Sequence, residues 1–174
     1  GDLERESWYP AIQFTSSIEE VMQDSEVNLI VVNTPDKFHV AYTKMALESG
    51  KNVLTEKPFA MTSDEAKDVF ALAKEKGLLA MANQNRRFDA DMRTVRKVIE
   101  SGVLGELIEV ESHYDYYRPQ IAEHKGMGVL YGLAVHPVDQ IVGEFGVPEQ
   151  LVYDVRSIDN PGISDDYYAV SYTH

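Results

Sequence analysis

The sequence predicts an α/β fold: part of a Rossmann-type parallel sheet, followed by part of an α+β unit with an open, mostly antiparallel sheet. Three observations lead there. Across residues 28–82, short apolar runs rich in β-branched residues alternate with helix-periodic segments, the spacing of parallel βαβ units. Beyond residue 88 the runs at 106–114, 150–157 and 167–172 alternate apolar and polar residues, as strands with one solvated face do. With 174 residues, 44% of them hydrophobic and 26% charged, the chain can bury a real core.

Element by element, Asn28-Leu-Ile-Val-Val-Asn33 reads as a strand buried on both faces, with Thr34-Pro35-Asp36 as its turn. Val40–Glu48 is helix-like, and Gly50 supplies the left-handed residue that ends it. Asn52–Thr55 is the second strand. Thr62 and Glu65 form a capping-box pair before the stripe Ala66, Val69, Phe70, Ala73, which Gly77 stops. Leu78–Ala82 is a third strand. Met92, Val95, Val98 and Ile99 mark a helix ending at Gly102, and Val138, Ile141, Val142 and Phe145 mark another. Pro137 either starts that last helix or kinks one already running. The boundary between the two units falls near Phe88, giving residues 1–87 as the partial Rossmann-type unit and 88–174 as the partial α+β unit. The absence of an opening strand with a glycine turn, and the end inside a strand-like run, read as a piece of a longer protein.

Composition narrows the function. Sixteen Lys and Arg stand against 29 Asp and Glu, a net charge of −13, so a nucleic-acid backbone or an anionic membrane surface would be repelled. There is no cysteine, hence no disulfide framework and no thiolate metal site. The longest apolar stretch, Gly128 to Val135, falls far short of the ~20 residues that span a bilayer. With no signal-peptide pattern at the N-terminus, the expected location is cytoplasmic. The histidines show no metal-ligand spacing, so no metal is expected.

In an open parallel sheet, ligands gather outside the carboxyl ends of the strands. The residues there are Asn33-Thr34-Pro35, Glu56-Lys57-Pro58 and Asn83-Gln84-Asn85-Arg86-Arg87. Each cluster also serves as an ordinary turn, but Glu56-Lys57 between a buried strand and a rigid proline suits the orienting of a substrate. His136, Asp139, Gln140 and Gly143 share a helix face opposite the apolar stripe, which reads either as a polar surface or as a site. Tyr114, Tyr116, Tyr117 and Arg118 form an aromatic and basic cluster, a packing edge or a wall for sugar stacking. Ser164-Asp165-Asp166 reads as a solvated turn.

Val32-Asn-Thr-Pro35 with His39, then Ala46-Leu-Glu-Ser-Gly-Lys-Asn-Val-Leu-Thr-Glu-Lys-Pro58, resembles the Gfo/Idh/MocA oxidoreductases, whose hallmark is Glu-Lys-Pro. The likeness continues through Gln84–Phe88, Ile99–Gly105 and Gly126–Asp139. It implies NAD or NADP on a Rossmann domain and a small-molecule substrate, often a sugar or polyol, against the sheet of the second domain. It implies a homo-oligomer at full length. Lys57 would lie near the nicotinamide and the reacting carbon, Glu56 near the cofactor ribose, and Asn33, Thr34, Pro35, His39 and Asn85 along the cofactor. His136 would act on the substrate side, with Arg86, Tyr114 and Asp139 as substrate contacts. Oxidising an alcohol removes a hydride from carbon and a proton from oxygen, and Lys57 and His136 are the groups suited to that oxygen. Two departures stand out. No Gly-x-Gly-x-x-Gly occurs, so the pyrophosphate cradle is expected upstream of Gly1. Gly132 stands where family members commonly carry Asp, four residues before the histidine. That substitution supports an alternative, a non-catalytic relative or an inactive fragment that keeps the fold.

Overall fold

A computed structural model describes residues 7–115 and 128–174, so Tyr116, Tyr117, Arg118, His124 and Gly126 lie outside the described residues. The chain divides into two compact units, Gly1–Ala82 and Asn83–His174.

The first unit opens with a short helix, α1 (Ile18–Gln23), which the sequence reading passed over. Its start is encoded all the same: the Ser17 hydroxyl accepts from the Glu20 N–H at 3.3 Å, satisfying a donor that has no partner inside the helix. Strand β1 (Leu29–Val32) leads through a tight turn at Asp36–Phe38 into α2 (His39–Glu48). Gly50 and Gly77 end their helices at φ of 77° and 67°, a conformation that costs a side-chain-bearing residue. Strand β2 (Asn52–Thr55), α3 (Ser63–Lys76) and β3 (Ala80–Ala82) complete the unit. At the start of α3 the Thr62 hydroxyl accepts from the Glu65 N–H and the Glu65 carboxylate accepts from the Thr62 N–H, the reciprocal cap the sequence announces.

The three strands pair in parallel in the order β1-β2-β3, with Val32 beside Thr55 and Thr55 beside Ala82. All three carboxyl ends therefore reach one edge. Two small clusters form the core: Met22, Ala46 and Val53 with Ile18 and Ile30, and Leu47, Val69 and Ala73 with Val40, Phe59, Leu72 and Leu78. Strand β1 is not buried on both faces. Ile30 packs on the first cluster, whereas Leu29 and Val31, which point to the other face, are exposed.

In the second unit a turn at Asn85–Phe88 precedes α4 (Ala90–Glu100). The expected strand at 106–114 is absent. Those residues pair with no other strand, and Ile108 and Val110 are exposed. Alternation specifies two faces of a strand, but a ladder also needs a neighbour to take its N–H and C=O groups. A π-turn at Leu130–Ala134 runs into α5 (Val135–Phe145), so Pro137 lies in a helix already running. The proline ring would crowd the carbonyl four residues back, at Leu133, and that residue sits in the widened turn. Strands β4 (Gln150–Arg156) and β5 (Tyr167–Thr173) form an antiparallel pair from Gln150 opposite Thr173 to Arg156 opposite Tyr167.

Ser164-Asp165-Asp166 is not a solvated turn. Ser164 is buried, and Asp165 receives the start of the π-turn: the Leu130 N–H donates to its Oδ2 at 2.7 Å and the Val129 N–H to its carbonyl at 3.1 Å. The Asp166 carboxylate accepts from the N–H groups of Ile158, Asp159 and Asn160 at 2.6, 2.7 and 3.0 Å, closing the β4–β5 loop. These backbone donors, the one from Ile158 foremost, hold the Asp166 pKa below its ordinary 3.8. A carboxyl depressed on folding adds stability above its unfolded pKa and loses it as acid protonates the folded form. Asp166→Asn is therefore expected to be less stable than the wild type at neutral pH, with the difference closing below pH 3.8. Urea unfolding of both chains at several pH values checks this, and a gap that widens in acid refutes it.

Candidate functional site

In the first unit the site residues emerge from the carboxyl edge of the parallel sheet. The Glu56 N–H donates to the Val32 carbonyl at 2.9 Å, extending the β1–β2 ladder one step and fixing the backbone on which Glu56 and Lys57 sit. The Lys57 N–H donates to Glu56 Oε2 at 3.3 Å. Lys57 and Pro58 are joined by a cis peptide, and Pro58 is buried while Glu56 and Lys57 are half-buried. Beside them Asn33 and Pro35 are exposed. Thr34 is half-buried, and its Oγ1 is enclosed with no hydrogen-bond partner among the described residues.

His39 is among the most deeply set of these side chains. It is 1% exposed, with Nδ1 2.8 Å from the Pro58 carbonyl and Nε2 2.8 Å from the Thr34 carbonyl. One turn along the helix, Thr43 Oγ1 donates to the His39 backbone carbonyl at 2.7 Å and meets Thr55 Oγ1 at 2.6 Å. The Thr43 proton is thereby used, so Thr55 donates to Thr43. Thr43 and Thr55 were not singled out from the sequence. The only trace of Thr43 is its place one helical turn after His39.

The residues present fit a dinucleotide. A buried hydroxyl lacking a partner is rare in folded proteins, and the Thr34 hydroxyl sits at the strand edge where α/β sheets bind nucleotides. Thr34 also lies on the rim of an open, mostly apolar depression of about 260 Å³ that includes Ile18, Ile30, Val32 and Tyr42.

In the second unit α5 gathers the remaining site residues. His136 and Gln140 are buried, one helical turn apart. Gln140 Nε2 donates to the Arg86 carbonyl at 3.3 Å and its Oε1 accepts from the Tyr114 hydroxyl at 3.0 Å, so one amide holds two of the expected substrate contacts. Asp139 is engaged through both oxygens: Arg87 Nε and Nη2 donate to Oδ2 and Oδ1, each at 2.6 Å. That bidentate pair raises the Arg87 pKa further, chiefly through the hydrogen bond. Asp139 thus anchors the turn carrying Asn85 and Arg86, both exposed. Arg96 Nε donates to Glu144 Oε2 at 2.8 Å, tying α4 to α5. Sequence reasoning did not assign Arg87 or Gln140. A side chain at Gly132 would meet nothing within 4 Å. Across the π-turn, hydrogen bonds run to the fifth residue, so positions 132 and 136 do not stack as they would on an α-helix. Among the described residues no group of His, Asp and Glu could hold a metal ion, and no helix is long and apolar enough to cross a membrane.

Comparison with known proteins places both units. Residues 4–84 match the family model of the Gfo/Idh/MocA oxidoreductases with an NAD-binding Rossmann fold, and residues 92–174 match the Gfo/Idh/MocA C-terminal domain. The chain is 52% identical over 163 residues to the oxidoreductase YhhX of Escherichia coli, covering 92% of this chain and 47% of that protein. It is 31% identical over 166 residues to the scyllo-inositol 2-dehydrogenase (NADP(+)) IolW of Bacillus subtilis, covering 92% and 46%. Among solved structures, that of yhhX superposes with a TM-score of 0.92 at 48% identity, over all of this chain and 52% of the other. An oxidoreductase from Bacillus cereus superposes at 0.91 with 37% identity, over 98% and 50%. The chain spans about half the length of the relatives it matches. With both halves matched and the Glu-Lys-Pro turn standing at the carboxyl edge of a parallel sheet, the chain belongs to the Gfo/Idh/MocA oxidoreductase family, with NAD or NADP as its cofactor.

Proposed function

We propose that this protein is an NAD(P)-dependent oxidoreductase that moves a hydride between the cofactor and a carbon of a small hydroxyl or carbonyl compound, a sugar or polyol. The observation that carries the reading is the Glu56-Lys57-Pro58 turn at the end of the central strand, beside the enclosed hydroxyl of Thr34. When bound, the nicotinamide supplies the hydride acceptor or donor.

The chain's own residues supply the rest. Thr34, Asn33, Pro35 and Glu56 bind and orient the dinucleotide from the two loops at the sheet edge. The Lys57 ammonium stabilises the negative charge that grows on the substrate oxygen as its proton is removed, before the neighbouring carbon gives up its hydride. In the second unit, His136 is the group suited to take a proton from a substrate hydroxyl, as an imidazole can. Arg86 and Tyr114 contact the substrate, and Asp139 holds the turn through Arg87. Relatives acting on scyllo-inositol and levoglucosan, the latter 28% identical over 147 residues, support the substrate class.

A second reading has one observation behind it. Gly132 leaves open space where a carboxylate would fit, and a relative with the fold but without the chemistry would look like this. The test uses a protein of full family length. NAD+ and NADP+ are supplied with a panel of sugars and polyols that includes scyllo-inositol and levoglucosan, and reduced nicotinamide is followed by its absorbance. Turnover with at least one compound is expected. No turnover across the panel, with activity appearing in Gly132→Asp, would put the non-catalytic reading in its place.

A further inference from the structure

His39 presents two ring nitrogens to two atoms that can only accept. Backbone carbonyl oxygens carry no proton, and each lies 2.8 Å from its nitrogen. A ring with one N–H would satisfy one carbonyl and turn a lone pair toward the other at hydrogen-bond distance, inside a site 1% exposed. In such surroundings an unsatisfied or repelling polar contact is costly. A ring bearing both protons satisfies both carbonyls through charge-assisted hydrogen bonds.

The two carbonyls have a functional address. Thr34 O belongs to the loop that follows β1, and Pro58 O to the loop that follows β2. These are neighbouring strands, and their loops carry Thr34 on one side and Glu56 and Lys57 on the other. Strand pairing fixes the loops only as far as the Glu56 N–H to Val32 O bond. Beyond it, the His39 ring bridges them. The helix that carries the ring is tied to β2, since the His39 backbone carbonyl accepts from Thr43, which in turn accepts from Thr55 on β2.

We propose that His39, protonated on both ring nitrogens, is a positioning residue that sets the separation of the Thr34 and Glu56–Pro58 loops and so shapes the dinucleotide site without touching the dinucleotide. The inference rests on the dinucleotide-dependent reading given above. It differs from the expectation that His39 lies along the cofactor, because burial and both ring partners turn it toward the backbone.

Two measurements on a protein of full family length test it. With 15N-labelled histidine, the free protein is expected to show two exchange-protected ring N–H protons for His39, identified by their loss in His39→Gln. A single ring proton would overturn the two-donor geometry. Dissociation constants for NAD+ and NADP+ are then measured by calorimetry. His39→Phe keeps a ring but offers no donor, and is expected to weaken the preferred dinucleotide by about tenfold or more. His39→Gln, which can serve one carbonyl, is expected to fall between. Thr43→Val removes the hydroxyl link between α2 and β2 while leaving both ring contacts, and is expected to lower the unfolding midpoint with little change in dinucleotide affinity. A purely structural histidine would behave as Thr43 does. Wild-type affinity in folded His39→Phe therefore refutes the proposal. If the wild type binds neither dinucleotide, the functional reading falls, and the ring spectrum still decides whether His39 bridges the loops.

Discussion

Lys57→Ala, in a protein of full family length, is expected to lower nicotinamide-dependent turnover by roughly 10²–10⁴-fold while dinucleotide affinity stays close to that of the wild type. The asymmetry follows from where charge appears. An alcohol is neutral before reaction, so an ammonium beside it gains little in the ground state. As the hydroxyl proton leaves, or as hydride adds to the carbonyl carbon in the reverse direction, the oxygen takes on negative charge, and a fixed cation then lowers the energy of that state selectively. Lys57 is suited to such service because its backbone is constrained from two directions: the Glu56 N–H is bonded to Val32 O, and Pro58 is buried. The affinity for dinucleotide rests on groups of both loops, so losing one side chain should spare it. Steady-state kinetics paired with calorimetry separates the two effects. Turnover within a few-fold of wild type would remove Lys57 from the chemistry, and a matching collapse of affinity would make it a binding residue instead.

What the sequence made legible were features whose cause is local. Strand β2 runs over Asn52–Thr55 as expected because β-branched and apolar residues there are bounded by Gly50 and by a proline turn. The cap of α3 was readable because both partners, Thr62 and Glu65, lie within one turn. The carboxyl-edge clusters followed from parallel order, which short strands joined by helices enforce. The helix at Ile18–Gln23 escaped notice for a local reason too: six residues carrying two glutamates give almost no stripe to count.

What stayed hidden depends on partners far along the chain or on atoms that every residue possesses. Gln140 reads as part of a polar helix face, and polar faces usually meet water. It is buried because its partners, Tyr114 and the Arg86 carbonyl, come from 26 and 54 residues away. Asp139 offers a carboxylate in sequence, but the guanidinium that occupies it is 52 residues distant. His39 is visible as a histidine, whereas its partners are backbone carbonyls, which leave no mark in a sequence. Strand 106–114 fails for the complementary reason, since its alternation is real but nothing described lies alongside to pair with it. In each case residue type was readable and the partner was not.

Gly128 stands just before a helical segment and Gly132 within its π-turn, and their substitution by alanine is expected to move stability in opposite directions. A Cβ at Gly128 would run into the Asp165 carboxylate and the Asp165 backbone carbonyl. The side chain of Asp165 could swing aside, but only by giving up the bond from the Leu130 N–H, and the carbonyl belongs to the backbone that also receives the Val129 N–H. Overpacking against a fixed atom and loss of a helix cap together put Gly128→Ala at about 2–4 kcal/mol destabilising. At Gly132 the added methyl meets nothing within 4 Å, and its backbone φ is not in the left-handed range. Alanine there should only reduce the freedom of the unfolded chain, stabilising by roughly 0.5–1 kcal/mol. Urea unfolding of the two single variants decides the matter, since the pair differ in little except the atoms that face each methyl. If both variants lose stability alike, the contact between Asp165 and the start of the helix is not what makes residue 128 a glycine.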